Sequence, residues 1–215
     1  LRFRLITIVK KEIEMAVLVG KDAPDFTAPT VMPDNSINKS FNFKKYLGGS
    51  EGILFFYPKD FTFVCPSEII AFNNRLKEFT SRGVKVVGVS TDTAETHLKW
   101  KNTDVNNGGI GNVQYPIVGD DSQKITKAYD VMVEGKGIAY RGTFLINKQG
   151  KVVHQVINDL PLGRNIDEAI RMIDTLQFTE KHGEVCPAGW NKGAEGMKPD
   201  AAGVADYLKK HAKKL

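Results

Sequence analysis

The chain has 215 residues, 41% hydrophobic and 26% charged, which places it among ordinary globular sequences able to bury one sizeable core with appendages. Its net charge of +5 is carried by the ends, +2 in residues 1–14 and +3 in residues 198–215. The neutral body between them excludes a phosphate-tracking face for nucleic acid.

Taken in chain order, residues 1–14 hold no convincing periodicity, whereas Met15 precedes an orderly Ala-Val-Leu-Val-Gly. Residues 1–14 are therefore expected to be a non-native leader, with Met15 the native start. Leu5-Ile6-Thr7-Ile8-Val9 is too short for a secretory apolar region, and no run approaches the ~20 residues of a membrane span. The chain reads as cytosolic, without a membrane partner. Only two cysteines occur, Cys65 and Cys186. In a reducing compartment such a pair points to catalysis or redox sensing rather than a structural staple.

A loop with Pro24, Pro29 and Pro33 is expected first. Ile53 to Tyr57 is aliphatic and aromatic throughout, as befits a central strand covered on both faces. Pro66 to Ser81 repeats Ile69, Phe72, Leu76 and Phe79 at helical steps and ends at Gly83. Val84 to Ser90 reads as a strand, and Asp92 to Glu95 has the spacing of a capping box opening a helix with His97, Leu98 and Trp100. Tyr115 to Val118 is a short strand and Ser122 to Tyr129 a short helix. Ile138 to Ile146 and Lys151 to Ile157 form an antiparallel hairpin around Asn147-Lys148-Gln149-Gly150. Asn165 caps a helix with an apolar face of Ile166, Ala169, Ile170, Ile173 and Leu176.

Right-handed crossovers followed by a hairpin give an α/β fold of thioredoxin-like architecture, a mixed central sheet flanked by helices. Residues 15–182 make that domain. Residues 183–215, rich in Gly and Pro, make a C-terminal tail in which only Val204 to Leu208 reads as helical.

Cys65 lies between the buried strand and the helix that follows. Unsatisfied N–H groups and the macrodipole favour an anion at a helix N-terminus, so this position selects for a thiolate and makes Cys65 a nucleophile candidate. Thiolate formation alone is a small lever. A free cysteine is ~3% ionised at neutral pH, so complete ionisation gains at most roughly thirtyfold, about 2 kcal/mol. Lowered basicity also weakens the attacking sulfur. Any larger effect must act on the charge that develops on the group the sulfur expels.

Pro58-Lys59-Asp60-Phe61-Thr62-Phe63-Val64-Cys65 resembles the Pro-x-x-x-Thr-x-x-Cys motif of peroxiredoxins. With Glu184-Val185-Cys186-Pro187-Ala188-Gly189-Trp190, the chain resembles a typical two-cysteine peroxiredoxin, nearest to the bacterial alkyl hydroperoxide reductase C subunits. The resemblance implies a thiol-dependent peroxidase acting on hydrogen peroxide and organic hydroperoxides. Thr62 matches the hydroxyl that bonds peroxide and thiolate, and Arg141 matches the family arginine that favours the thiolate and binds the reacting oxygens. Pro58 shapes the pocket, while Glu68 orients Arg141 or the second arginine, Arg164. Cys186 matches the resolving cysteine, which comes from the partner subunit to form an intersubunit disulfide with Cys65. The implied partners are a second copy in a homodimer, a ring of such dimers, and a thioredoxin-like or flavoprotein disulfide reductase.

Plainer readings compete at several positions. Arg141 alone reads as a strand-end surface charge, and Tyr57 and Trp100 as core or interface aromatics. His97, His154, His182 and His211 are too scattered for a metal cluster, and neither a metal nor another cofactor is expected. Gly108-Gly109-Ile110-Gly111 is a turn and, within the resemblance, matches the Gly-Gly-Leu-Gly loop of overoxidation-prone members, whereas Tyr207-Leu208 departs from their Tyr-Phe. Two other activities compete. Disulfide exchange of the Cys-x-x-Cys type is rejected because Glu68 stands three after Cys65, and a chaperone holdase activity of the same assembly remains the alternative.

Overall fold

The computed structural model describes residues 17–215, so the expected leader and the Met15 start lie outside the described residues. Strand β3 (Gly52–Phe56) is buried throughout. Its Ile53 and Phe55, with Tyr57 just beyond, enter one apolar cluster, and Leu54 and Phe56 enter the other. That division follows from the two-residue period of an extended chain and gives the sheet a core on each face.

Among the described residues seven strands make the sheet. The others are β1 (Thr27–Val31), β2 (Ile37–Asn42), β4 (Lys85–Ser90), β5 (Ile117–Gly119), β6 (Arg141–Ile146) and β7 (Val152–Asn158), in the order β2-β1-β5-β4-β3-β6-β7. β3 runs parallel to β4 and β4 to β5, while β3–β6, β6–β7, β1–β5 and β1–β2 are antiparallel. The mixed sheet is thus the expected one, with β3 near its middle. Gly88 of β4 makes room for Phe55, whose ring lies 2.9 Å from where a Cβ would stand.

Helices α1 (Phe43–Leu47) and α5 (Lys124–Ala128) cover one face. The opposite face carries α2 (Cys65–Asn74), α3 (Leu76–Ser81), α4 (Ala94–Lys101) and α6 (Ile166–His182). Asn165 caps α6 by accepting from Asp167 N at 2.9 Å and Glu168 N at 3.4 Å, and Gly183 closes it in the left-handed conformation. Helix α7 (Ala201–His211) is followed by one 3₁₀ turn (Ala212–Lys214).

Four local expectations are corrected. The proline-bearing loop contains the hairpin β1–β2, whose strands are short and polar enough to lose their period in sequence. The helix expected over Pro66 to Ser81 begins at Cys65 and breaks at Arg75 into α2 and α3. Thr93, not Asp92, caps α4, because the Asp92 carboxylate is taken by Ser90 Oγ at 2.7 Å and Asp60 N at 2.9 Å. Finally α7 extends well beyond Val204 to Leu208, since Asp200 accepts from Gly203 N at 2.7 Å and starts it early. Among the described residues no helix is long and apolar enough to cross a membrane.

Candidate active site

Pro58 stands two residues beyond β3, and the chain crosses to α2 through a loop whose Phe61 adopts φ +53°, in the left-handed region. Cys65 is the first residue of α2 and is 1% exposed, with Pro66 in the first turn and no side chain capping the helix. The sulfur therefore sits at the positive end of the helix, whose first turn also carries Glu68.

Arg141, at the start of β6, reaches this sulfur from across the sheet. Its Nη1 donates to Cys65 Sγ at 3.4 Å and to Glu68 Oε2 at 2.6 Å, and its Nε donates to the Leu160 carbonyl at 2.7 Å. Glu68 lies one turn along α2 from Cys65. Its Oε1 accepts from Arg164 N and Nε, and its Oε2 from Arg141 Nη1 and Arg164 Nη2, with each Arg164 distance 2.9 Å. Arg164 also donates from Nη1 to the Phe56 and Gly142 carbonyls at 2.8 and 2.9 Å and lies over the Phe55 ring. Glu68 thus orients both arginines at once.

All three charged side chains are at most 4% exposed. Burial alone would raise the Glu68 carboxyl, but the charge and hydrogen bonds of Arg164, followed by the charge of Arg141, outweigh it and hold the group below the usual carboxylate range. Two guanidiniums and one carboxylate leave a single positive charge in a dry site. A Cys65 thiolate balances that charge, and a thiol does not.

Pro58 is buried beneath the loop. The Thr62 hydroxyl donates to the Lys59 carbonyl at 2.8 Å, so its proton is committed to the loop and its oxygen keeps the capacity to accept. Cys65, Glu68, Arg141 and Arg164 therefore meet at one junction of β3, α2 and β6, while Pro58 and Thr62 stand on the loop that leads to it, the Thr62 hydroxyl turned to the Lys59 carbonyl. Cys186 does not join them. It lies partly exposed on its own α6, Sγ 3.8 Å from both the Thr175 carbonyl and Thr179 Oγ1. The segment bearing it is folded rather than loose. Val185 and Met197 exchange backbone bonds of 2.9 Å, Arg171 Nη1 donates to the Trp190 carbonyl at 2.8 Å, and the Trp190 ring packs on Phe178 at 4.8 Å.

Sequence reasoning missed two parts of this site. The Leu160 carbonyl carries no side-chain signal. Asp60, inside the quoted motif, bonds His97 and Tyr57, and the only hint was a carboxylate between a buried strand and the aromatic Phe61.

The chain is similar to known proteins along most of its length. Residues 19–155 match the AhpC/TSA family, and residues 175–210, which span Cys186, match the C-terminal domain of 1-Cys peroxiredoxin. The chain is 56% identical over 199 residues to alkyl hydroperoxide reductase C of Helicobacter pylori (strain ATCC 700392 / 26695), covering 93% of this chain and 100% of that protein. It is 47% identical over 192 residues to peroxiredoxin-1 of Gallus gallus, covering 89% and 96% of the two chains. The crystal structure of the reduced 2-Cys peroxiredoxin of Plasmodium vivax superposes with a TM-score of 0.87 at 44% identity, over 90% of this chain and 99% of that one.

Proposed function

Because the chain belongs to the AhpC/TSA family and is a thioredoxin-fold thiol peroxidase related to the bacterial 2-Cys enzymes, we propose that Cys65 is its peroxidatic cysteine and Cys186 its resolving one. The observation that carries this reading is the Cys65 sulfur at a helix N-terminus, 3.4 Å from an arginine held by a buried carboxylate.

In the first step the Cys65 thiolate attacks the terminal oxygen of a hydroperoxide. The S–O bond forms as the O–O bond breaks, leaving a sulfenic acid and an alkoxide or hydroxide that takes up a proton as alcohol or water. Arg141, already aimed at the sulfur, stabilises the charge that moves onto the departing oxygen, and Thr62 orients the peroxide. Pro58 shapes the entrance to the pocket. Glu68 and Arg164 keep Arg141 in place.

In the second step the Cys186 thiol of a partner subunit displaces the sulfenic hydroxyl as water and forms the S–S bond. A dithiol reductant, a thioredoxin-like protein or a flavoprotein disulfide reductase, then returns two electrons and two protons. The loop before α2 and the segment around Cys186 must both loosen for the sulfurs to meet. Edge strand β7, with exposed Val156 and Ile157, offers the surface for pairing two copies, and such dimers assemble into rings. Residues 15–182 form the peroxidase domain and residues 183–215 the resolving tail. Two thiols that must be kept reduced place the cycle in the cytoplasm.

Cys65→Ser should abolish peroxide consumption. Cys186→Ser should complete one turnover and then stall with a thiol-disulfide reductant. Nonreducing electrophoresis of peroxide-treated protein should reveal a dimer lost in either variant. Equal steady-state activity in both variants would overturn the assignment.

A further inference from the structure

Between β3 and α2 lies a second buried polar cluster that the peroxide chemistry does not use. Asp60, five residues before Cys65, is 4% exposed and held on three sides. Its backbone N donates to Asp92 Oδ2 at 2.9 Å, its Oδ1 accepts from the Tyr57 hydroxyl at 2.8 Å, and its Oδ2 lies 2.7 Å from His97 Nδ1. His97 is 0% exposed, and its other nitrogen, Nε2, lies 3.1 Å from the Val118 carbonyl. A carbonyl oxygen can only accept, so Nε2 carries a proton. A second proton occupies the short Nδ1–Oδ2 contact. The Asp60–His97 pair is therefore neutral as a unit whichever partner holds that proton. Burial foremost raises the Asp60 carboxyl above the usual range, against the opposing hydrogen bond and charge of His97.

The residue after this anchor is under strain. Phe61 has φ +53°, a conformation costly for a residue with a Cβ, and its ring rests on Trp100 at 5.8 Å between centroids. Phe63, two residues further on, is fully exposed. The strained turn at Phe61 thus persists because Asp60 is pinned on one side and the Phe61 ring is packed on Trp100 on the other, while the remaining loop adds little apolar burial. The turn at Phe61 therefore depends on Asp60 staying anchored.

We propose that Asp60, His97 and Tyr57 form a buried latch that positions the Cys65 loop and sets the balance between its wound form, which reduces peroxide, and its loosened form, which makes the disulfide. These are positioning residues, since none touches the reacting atoms. The proposal rests on the reading above that Cys186 resolves the Cys65 sulfenic acid. It predicts opposite effects on two steps of one cycle. A weakened latch slows peroxide reduction and hastens disulfide formation, so less sulfinic acid, the product of a second peroxide attack on the sulfenic acid, accumulates.

Two substitutions of one residue test it in the full chain. His97→Asn keeps a donor near the Nδ1 position, facing Asp60, whereas His97→Gln keeps one near the Nε2 position, facing Val118. Stopped-flow measurement should find the second-order rate with H₂O₂ lowered roughly tenfold in His97→Gln, while the rate of the disulfide formation that follows rises by a similar factor. His97→Asn should stay within about twofold of wild type on both readouts. Tyr57→Phe, which removes one hydroxyl from the latch, should show the same opposed pattern at about threefold and decides the matter if His97→Gln does not fold. Both steps slowing together, or no difference between the Gln and Asn variants, would overturn the latch. Disulfide dimer persisting in Cys186→Ser would instead overturn the resolution reading on which it rests.

Discussion

Replacing Glu68 by Gln tests the charge arrangement of the site most directly. The carboxylate accepts four N–H groups, two on each oxygen, from Arg141 and Arg164. A Gln side chain offers one oxygen that can still accept two of them, but its amide nitrogen is a donor and meets the other two head-on. Each bond to a charged group is worth about 1.5–3 kcal/mol, so the two lost bonds amount to roughly 3–6 kcal/mol. That agrees with the ~3–5 kcal/mol cost of leaving a buried charge unpaired. In urea, with a slope of about 2 kcal/mol per molar, the unfolding midpoint should fall by roughly 1.5–3 M at fixed protein concentration. Arg141 keeps its bond to the Leu160 carbonyl but loses its alignment on the sulfur, so the peroxide rate should drop about a hundredfold.

Acid titration supplies a second readout for this variant. Glu68 is held below its ordinary value of 4.5, so its contribution to stability is fully present above that pH and is lost as the pH falls through the lowered value. Glu68→Gln should flatten that acid limb. A midpoint within about 0.3 M of wild type, together with an unchanged peroxide rate, would refute the clamp.

Two further outcomes concern stability away from the sulfur. Lys101 is buried with Nζ on the Met32 carbonyl at 2.9 Å, and burial pushes it down to about 8 against the opposing charge of Asp34. Between about pH 8 and its ordinary 10.5 the unfolded chain holds the extra proton, so stability should rise with pH across that window, and urea unfolding of Lys101→Met should lack this rise. An undiminished rise in the variant would assign the effect to other groups. Asn165→Ala removes the cap of α6 and should cost ~1 kcal/mol, seen by calorimetry as a Tm lower by about 2–4 °C, while Asn165→Asp should restore it.

Local pattern was enough to locate β3, the helical stripe of α6 and the junction bearing Cys65, because each is encoded in the spacing of apolar residues within a few turns or pleats of chain. The thioredoxin-like order followed from those elements, and the motif around Cys65 carried the chemistry. Hairpin β1–β2 escaped because prolines and short polar strands mask its alternation, and the cap of α4 was misplaced because Asp92 is claimed by Asp60, 32 residues away. Arg141 read alone as a surface charge, yet it is 3% exposed. Only the sheet, by setting β6 against β3 and returning the chain to Arg164, brings residues 73 and 96 positions from Glu68 into one ion cluster. The same holds for His97 and Asp60. Periodicity records which side of an element is buried, whereas the pairing of buried charges depends on long-range closure, and their burial is tolerable only once every partner has arrived.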